Sequence, residues 1–154
     1  MTLIDRLHRG VTTRSAAETR TVAAELSALL PADSALALHG DLGVGKTTFV
    51  QGLARGFGID AEVTSPTFTI YTLYRSSSGG PPGFTLVHLD AYRLDSAAQM
   101  EGLLLDDFLT TPYCLAVEWP DKIAGWLPEG AWHLDLALGA SGSHSLRLRP
   151  ALGL

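Results

Sequence analysis

The eight residues Gly40 to Thr47 constrain this chain more than any other stretch. They read Gly-Asp-Leu-Gly-Val-Gly-Lys-Thr, a glycine and four free positions followed by Gly-Lys-Thr, with Thr48 extending the run. The apolar residues 35–39 lead in and the helix-compatible residues 48–57 follow, the strand, loop and helix setting that a phosphate-binding loop requires. Gly43 and Gly45 allow backbone dihedrals that a side chain would penalise. The backbone from Asp41 through Leu42, Gly43, Val44, Gly45, Lys46, Thr47 and Thr48 is therefore the candidate nucleotide cradle, with N–H groups converging on phosphate and a helix N-terminus behind them. In such a loop Lys46 reaches the β- and γ-phosphates, and the Thr47 hydroxyl takes one Mg²⁺ position.

The remaining composition suits an enzyme-sized globular unit. At 154 residues a single domain is expected over 1–154, and 46% hydrophobic against 18% charged residues is enough for a sizeable core. Eleven basic against sixteen acidic residues leave a formal charge of -5, and no basic stripe appears. A stand-alone nucleic-acid binder would more often be basic, so any RNA is expected to be held by a partner. The single Cys114, in an apolar stretch, excludes an internal disulfide and a cysteine-based zinc cluster and reads as a buried small side chain. Residues 1–9 lack a signal-peptide core and no apolar run reaches 18 residues, so no membrane involvement and a cytoplasmic location are expected.

Taken in order, residues 1–11 carry little pattern beyond a short first strand near Val11. Ser15 to Glu18 has the form of a capping box, and Val22, Leu26, Leu29 and Leu30 recur at helical spacing, predicting a helix over 16–30 packed on a sheet. After the loop, Phe49, Val50, Leu53, Ala54 and Phe57 repeat at three and four up to Gly56 and Gly58, which makes Phe57 a core residue. The hydroxyls of residues 64–69 around Pro66 read either as a polar turn before a strand over 68–74 or as a segment that senses the γ-phosphate or its metal. Residues 76–83, rich in Ser, Gly and Pro, read as a surface hairpin.

Two further apolar strands end in carboxylates. Residues 84–90 finish at Asp90, which can bind Mg²⁺, hold its water, orient an attacking water, or simply cap a turn. Residues 113–117 lead into Glu118-Trp119-Pro120. Lys46, Thr47, Asp90 and Glu118 together form a constellation suited to Mg-nucleotide hydrolysis. Trp119 can pack under the loop, stack on a base or line a partner surface. Arg93 is a salt-bridge or phosphate candidate. A helix from Asp95 or Ser96 to Leu105, a shorter one over 120–127, and an antiparallel hairpin of 132–138 with 145–148 complete the expected elements.

These motifs, in this order, resemble the TsaE (YjeE) family of ATPases in tRNA threonylcarbamoyladenosine biosynthesis. The resemblance rests on four stretches: Gly40 to Thr48, Ser65-Pro66-Thr67-Phe68-Thr69, His88-Leu89-Asp90-Ala91-Tyr92-Arg93-Leu94, and Glu118-Trp119-Pro120-Asp121-Lys122. It implies an α/β, three-layer P-loop NTPase-like fold with a mostly parallel central sheet and an antiparallel C-terminal hairpin. It also implies ATP and Mg²⁺ as ligands, with Thr47 and Glu118 in the metal shell and Asp90 as the hydrolytic or switch carboxylate. Residues 64–67, Thr67 among them, would respond to phosphate, Trp119 would lie near the nucleotide, and residues 13–15 would approach the adenine. The implied activity is ATP hydrolysis that supports a TsaD–TsaB complex in modifying the adenosine beside the anticodon of tRNAs reading codons that begin with A, the tRNA being met only through that complex. Two departures stand out: His144 and Arg147 are the nearby choices where the family often carries a basic residue entering its last strand, and the 76–83 insertion is longer than the usual connection. The alternative of a small P-loop nucleoside or metabolite kinase lacks an arginine-rich lid segment here, and a GTPase would carry an Asn-Lys-x-Asp-like reader that is absent.

Overall fold

The computed structural model describes residues 1–66, 69–77 and 82–150. Thr67 and Phe68, and the centre of the 76–83 insertion, lie outside the described residues.

Among the described residues seven strands form one sheet in the order β1-β7-β6-β2-β5-β4-β3. In chain order these are β1 (Val11–Thr13), β2 (Ser34–His39), β3 (Tyr71–Arg75), β4 (Thr85–Asp90), β5 (Tyr113–Glu118), β6 (Trp132–Leu138) and β7 (His144–Leu148). The central four, β6, β2, β5 and β4, run parallel, so both faces must be covered and their sequences read as nearly unbroken apolar runs. Antiparallel pairings close both sides: β7 runs against β6, as the expected C-terminal hairpin requires, β1 runs against β7, and β3 runs against β4.

Alternation along the strands sorts the core into two layers. Leu36, Leu38, Leu86, Cys114 and Ala116 face helices α1 (Leu3–Arg9), α2 (Ala16–Ser27) and α3 (Lys46–Gly56). Val87, Leu89, Leu115 and Val117 face the opposite layer, built from 3-10 turns and loops around Met100, Leu105 and Ile123. Cys114 is buried, and burial pushes its thiol up to about 12, in keeping with a packing role. Among the described residues no helix is long and apolar enough to cross a membrane.

Local chemistry explains where elements start and stop. Helix α1, unforeseen in the sequence, begins with a reciprocal capping box in which Thr2 and Asp5 exchange bonds of 3.1 Å, and it is anchored by the fully buried Leu7. Helix α2 is capped by Ser15, but the Glu18 carboxylate takes the Arg14 N–H instead of closing the box, and the helix ends at Ser27, short of Leu30. The expected helix after Ser96 is a 3-10 turn over Ala97–Leu103, ended by Leu104 in the left-handed region, and the one after Pro120 is a 3-10 turn over Pro120–Ile123. Only Met100 is buried in the first of these, too little apolar face to hold a full α-helix against the sheet. Strand β3 begins at Tyr71, because Ile70 adopts a φ of 70° that breaks the extended run.

Helices α2 and α3 meet at glycine. A Cβ on Gly52 would lie 2.6 Å from Ala23 Cβ and closer still to the Arg20 carbonyl oxygen, so the backbones touch where a side chain has no room. Gly52→Ala is therefore expected to destabilise the protein by about 1–3 kcal/mol, because overpacking outweighs the gain of about 1 kcal/mol in helix propensity. Urea unfolding measures this, and an unchanged or raised midpoint would contradict the close packing.

Candidate active site

Strand β2 ends at His39 and the chain turns at once into the loop. Gly40 is needed for close approach: a Cβ there would sit 2.5 Å from the Leu136 carbonyl oxygen of β6 and 2.6 Å from Val44 Cγ2. Gly43 and Gly45 hold φ of 84° and 98°, the left-handed side of the map that glycine enters freely. Asp41, Leu42 and Gly43 form the exposed lip, with Leu42 85% exposed, while Val44 plugs the core beneath. Lys46 and Thr47 open α3, and Thr48 follows half-buried on the first turn.

The side-chain alternation that builds the core also aims the carboxylates. On β4 and β5 the even-numbered residues face α3, which puts His88, Asp90 and Glu118 on the side where Lys46 and Thr47 begin the helix. Asp90 and Glu118 are register partners across the parallel pair, and both are buried. The Thr47 hydroxyl donates to Glu118 Oε2 at 3.1 Å, and His88 Nε2 contacts the same oxygen at 2.6 Å. An ionised carboxylate only accepts, so His88 carries its proton on Nε2, and its buried Nδ1 has no hydrogen-bond partner among the described residues. Asp90 Oδ1 accepts the Tyr92 backbone N–H at 2.9 Å, and its own N–H donates to the carbonyl of Ile70, at the end of the 64–69 stretch.

Lys46 is held from two sides. Its ammonium donates to the Gly40 carbonyl at 2.6 Å and lies 3.7 Å from the centroid of the Trp119 ring, which in turn packs 5.1 Å from the Tyr92 ring. Only 5% of Lys46 is exposed. Burial lowers its pKa below the ordinary lysine range, and the negative charges of Glu118, Asp90 and Asp41 oppose that shift. Trp119 reaches this position through a left-handed backbone, φ 58°, that turns the chain sharply after β5.

The residues singled out in the sequence thus converge: Lys46, Thr47, Asp90, Glu118 and Trp119 surround the loop formed by residues 40–45. Two parts of the expected site behave differently. Thr67 lies outside the described residues. Within the 13–15 stretch, Thr13 turns inward to share a 2.6 Å hydrogen bond with Thr19, which leaves the exposed Arg14 and Ser15 at the surface.

Two histidines take up contacts that the sequence reading did not foresee: His88, which it gave no task, and His144, which it named only as a choice for a basic residue entering the last strand. His88 was visible as the residue two before Asp90, hence on the same strand face, but its bond to Glu118 spans 30 positions. His144, at the start of β7, places Nδ1 3.0 Å from the Val44 carbonyl oxygen, spanning 100 positions. A further pair lies on the other face of the sheet: His39 Nε2 and His133 Nδ1 are 2.8 Å apart, near Asp121 and the Asp135–Arg149 ion pair. Burial, followed by the Arg149 charge, lowers the pKa of both.

Comparison with known proteins adds the following. A family model described as "Threonylcarbamoyl adenosine biosynthesis protein TsaE" matches residues 13–145. A tRNA threonylcarbamoyladenosine biosynthesis protein TsaE from Treponema pallidum (strain Nichols) is 35% identical over 133 residues, 86% of this chain and 94% of that protein. A protein of the same name from Streptomyces coelicolor is 45% identical over 123 residues, 78% of this chain and 80% of the relative. The crystal structure of YdiB from Bacillus subtilis aligns with a TM-score of 0.74 at 30% identity, over 92% of this chain and 84% of that one.

Proposed function

The chain belongs to the TsaE family, and from that premise we propose that it is an accessory ATPase of tRNA threonylcarbamoyladenosine biosynthesis, a single domain over residues 1–154 converting ATP and water to ADP and phosphate. The observation that carries this reading is the 3.1 Å bond from the Thr47 hydroxyl to Glu118. It joins the first turn of α3 to the end of β5, and it supports the reading because the hydroxyl oxygen keeps lone pairs for a cation while its proton rests on a carboxylate.

The donor set suits Mg²⁺. Among the described residues no three His, Cys, Asp or Glu side chains form a metal cage, and Mg²⁺ takes one or two protein oxygens and completes its shell from phosphates and water. One ammonium, Lys46, sits in the field of three carboxylates, Glu118, Asp90 and Asp41. A triphosphate entering that field calls for a dication to offset the repulsion. When bound, Mg²⁺ would neutralise charge on the β- and γ-phosphate oxygens.

The protein groups then divide the work. The N–H groups of residues 41–48 and the N-terminus of α3 bind the phosphates. Lys46 leaves the Gly40 carbonyl to meet the β- and γ-oxygens, while Trp119 screens it from water. Thr47 and Glu118 would hold the metal, and His88 fixes the Glu118 carboxylate. Asp90, in register beside Glu118, orients the attacking water, and the 64–69 stretch reports phosphate release through the Ile70 link to Asp90.

The transfer chemistry would belong to a TsaD–TsaB complex that also holds the tRNA, consistent with the -5 charge of this chain. Phosphate release from purified protein is expected to be slow alone and faster when a TsaD–TsaB pair is added. Phosphate transfer to a nucleoside or metabolite at a rate above hydrolysis would replace this reading with that of a kinase.

A further inference from the structure

We infer that His144 is a positioning residue of the phosphate loop, one that aims the Gly45 amide at the nucleotide by holding the carbonyl of the same peptide. This rests on the nucleotide reading above and deepens it.

The Val44 carbonyl can only accept, so His144 Nδ1, 3.0 Å away, must carry the proton and donate. The peptide is planar and trans, so its C=O and N–H point in opposite directions. Turning the Val44 oxygen toward β7 therefore turns the Gly45 N–H away from β7, toward the interior of the loop. That N–H takes no backbone acceptor among the described residues. A peptide followed by glycine rotates easily, and Gly45, with a φ of 98°, follows this one. A rotated peptide would remove one donor from the phosphate and put a carbonyl oxygen in its place.

The histidine is itself held firmly. It pairs with Leu138 on one side and Thr13 on the other. The turn before it is closed by Gly139 N–H to Ser143 O at 2.8 Å and Ser143 Oγ to Ala140 O at 2.8 Å. The hairpin of β6 and β7 also runs close to Gly40, where an added Cβ would lie 2.5 Å from the Leu136 carbonyl oxygen, so it lies against the loop near both of the loop's ends.

The test uses the full chain labelled with ¹⁵N, titrated with MgADP, with affinity from calorimetry and orientation from the Gly45 amide shift. His144→Ala is expected to weaken MgADP about fivefold, the size of one lost neutral hydrogen bond, and to shrink the shift change of Gly45 on binding. His144→Asn is expected to restore both, because its amide nitrogen donates from nearly the position of Nδ1. Should His144→Ala not fold, His144→Leu against His144→Asn makes the same comparison at similar volume. Affinity within twofold of wild type together with a full Gly45 shift in the alanine or leucine variant would overturn the inference and leave the nucleotide reading standing. So would an asparagine variant no better than the apolar one. No MgADP binding by the wild type would instead remove the nucleotide reading, and the inference with it.

Discussion

Lys46→Ala is expected to lower ATP turnover by about a hundredfold or more while leaving the fold intact. Removing a preorganised charge from a developing anion costs about that much in other enzymes, and Lys46 is a buried cation in the field of Glu118, Asp90 and Asp41. Its effect on stability is a balance of opposed contributions. The charge-assisted bond to the Gly40 carbonyl and the contact with the Trp119 face are lost. The cost of keeping an ammonium 5% exposed is lost as well. A thermal midpoint close to wild type with collapsed phosphate release is the expected pairing. Equal turnover by the variant and the wild type would sink the phosphate-loop mechanism.

Glu118→Gln is the second large effect. Glutamine keeps the length of the side chain and an oxygen for the Thr47 hydroxyl, but it removes the negative charge from the metal shell. The Mg²⁺ concentration needed for half-maximal hydrolysis is expected to rise about tenfold to a hundredfold, by analogy with losses around other metal sites, with a large fall in the maximal rate. Glu118→Ala is a poorer probe. It would leave His88, fully buried and already lacking a partner on Nδ1, without one on Nε2 as well, at a cost of about 1–3 kcal/mol. A titration of Mg²⁺ against phosphate release separates the two cases. An unchanged Mg²⁺ requirement in Glu118→Gln would take Glu118 out of the metal shell and leave Asp90 as the carboxylate to examine.

The parts of this site that were legible in the sequence are those specified by local rules. The loop announces itself because two glycines, a lysine and a threonine stand at the fixed intervals that phosphate binding requires, and the apolar runs ending in Asp90 and Glu118 locate two strand ends at one edge of a parallel sheet. The pairings between strands were not legible. Nothing near His144 in the chain says that it will meet Val44, and His88 looks like any polar residue interrupting an apolar strand until β5 is laid beside β4. The 3-10 turns around Met100 and Ile123, read in the sequence as helices, and the late start of β3 after the positive φ of Ile70 were missed as well, because they depend on how much apolar face each segment buries and on one backbone angle. Helix α1 is a different case, since its Thr2 to Asp5 box and the Leu3 to Leu7 spacing were readable but brief.

The strand order has a consequence for how copies of this chain behave toward one another. A sheet is open to further pairing only at its outermost strands, which here are β1 and β3, three and five residues long. Short edges with basic side chains beside them, Arg9 and Arg14 around β1 and Arg75 at the end of β3, are poor templates for edge-to-edge growth. The long apolar strands β2, β4 and β5, which would be the aggregation hazard if they stood at an edge, are enclosed on both sides. A concentrated solution of the folded protein is therefore protected against strand addition by its topology.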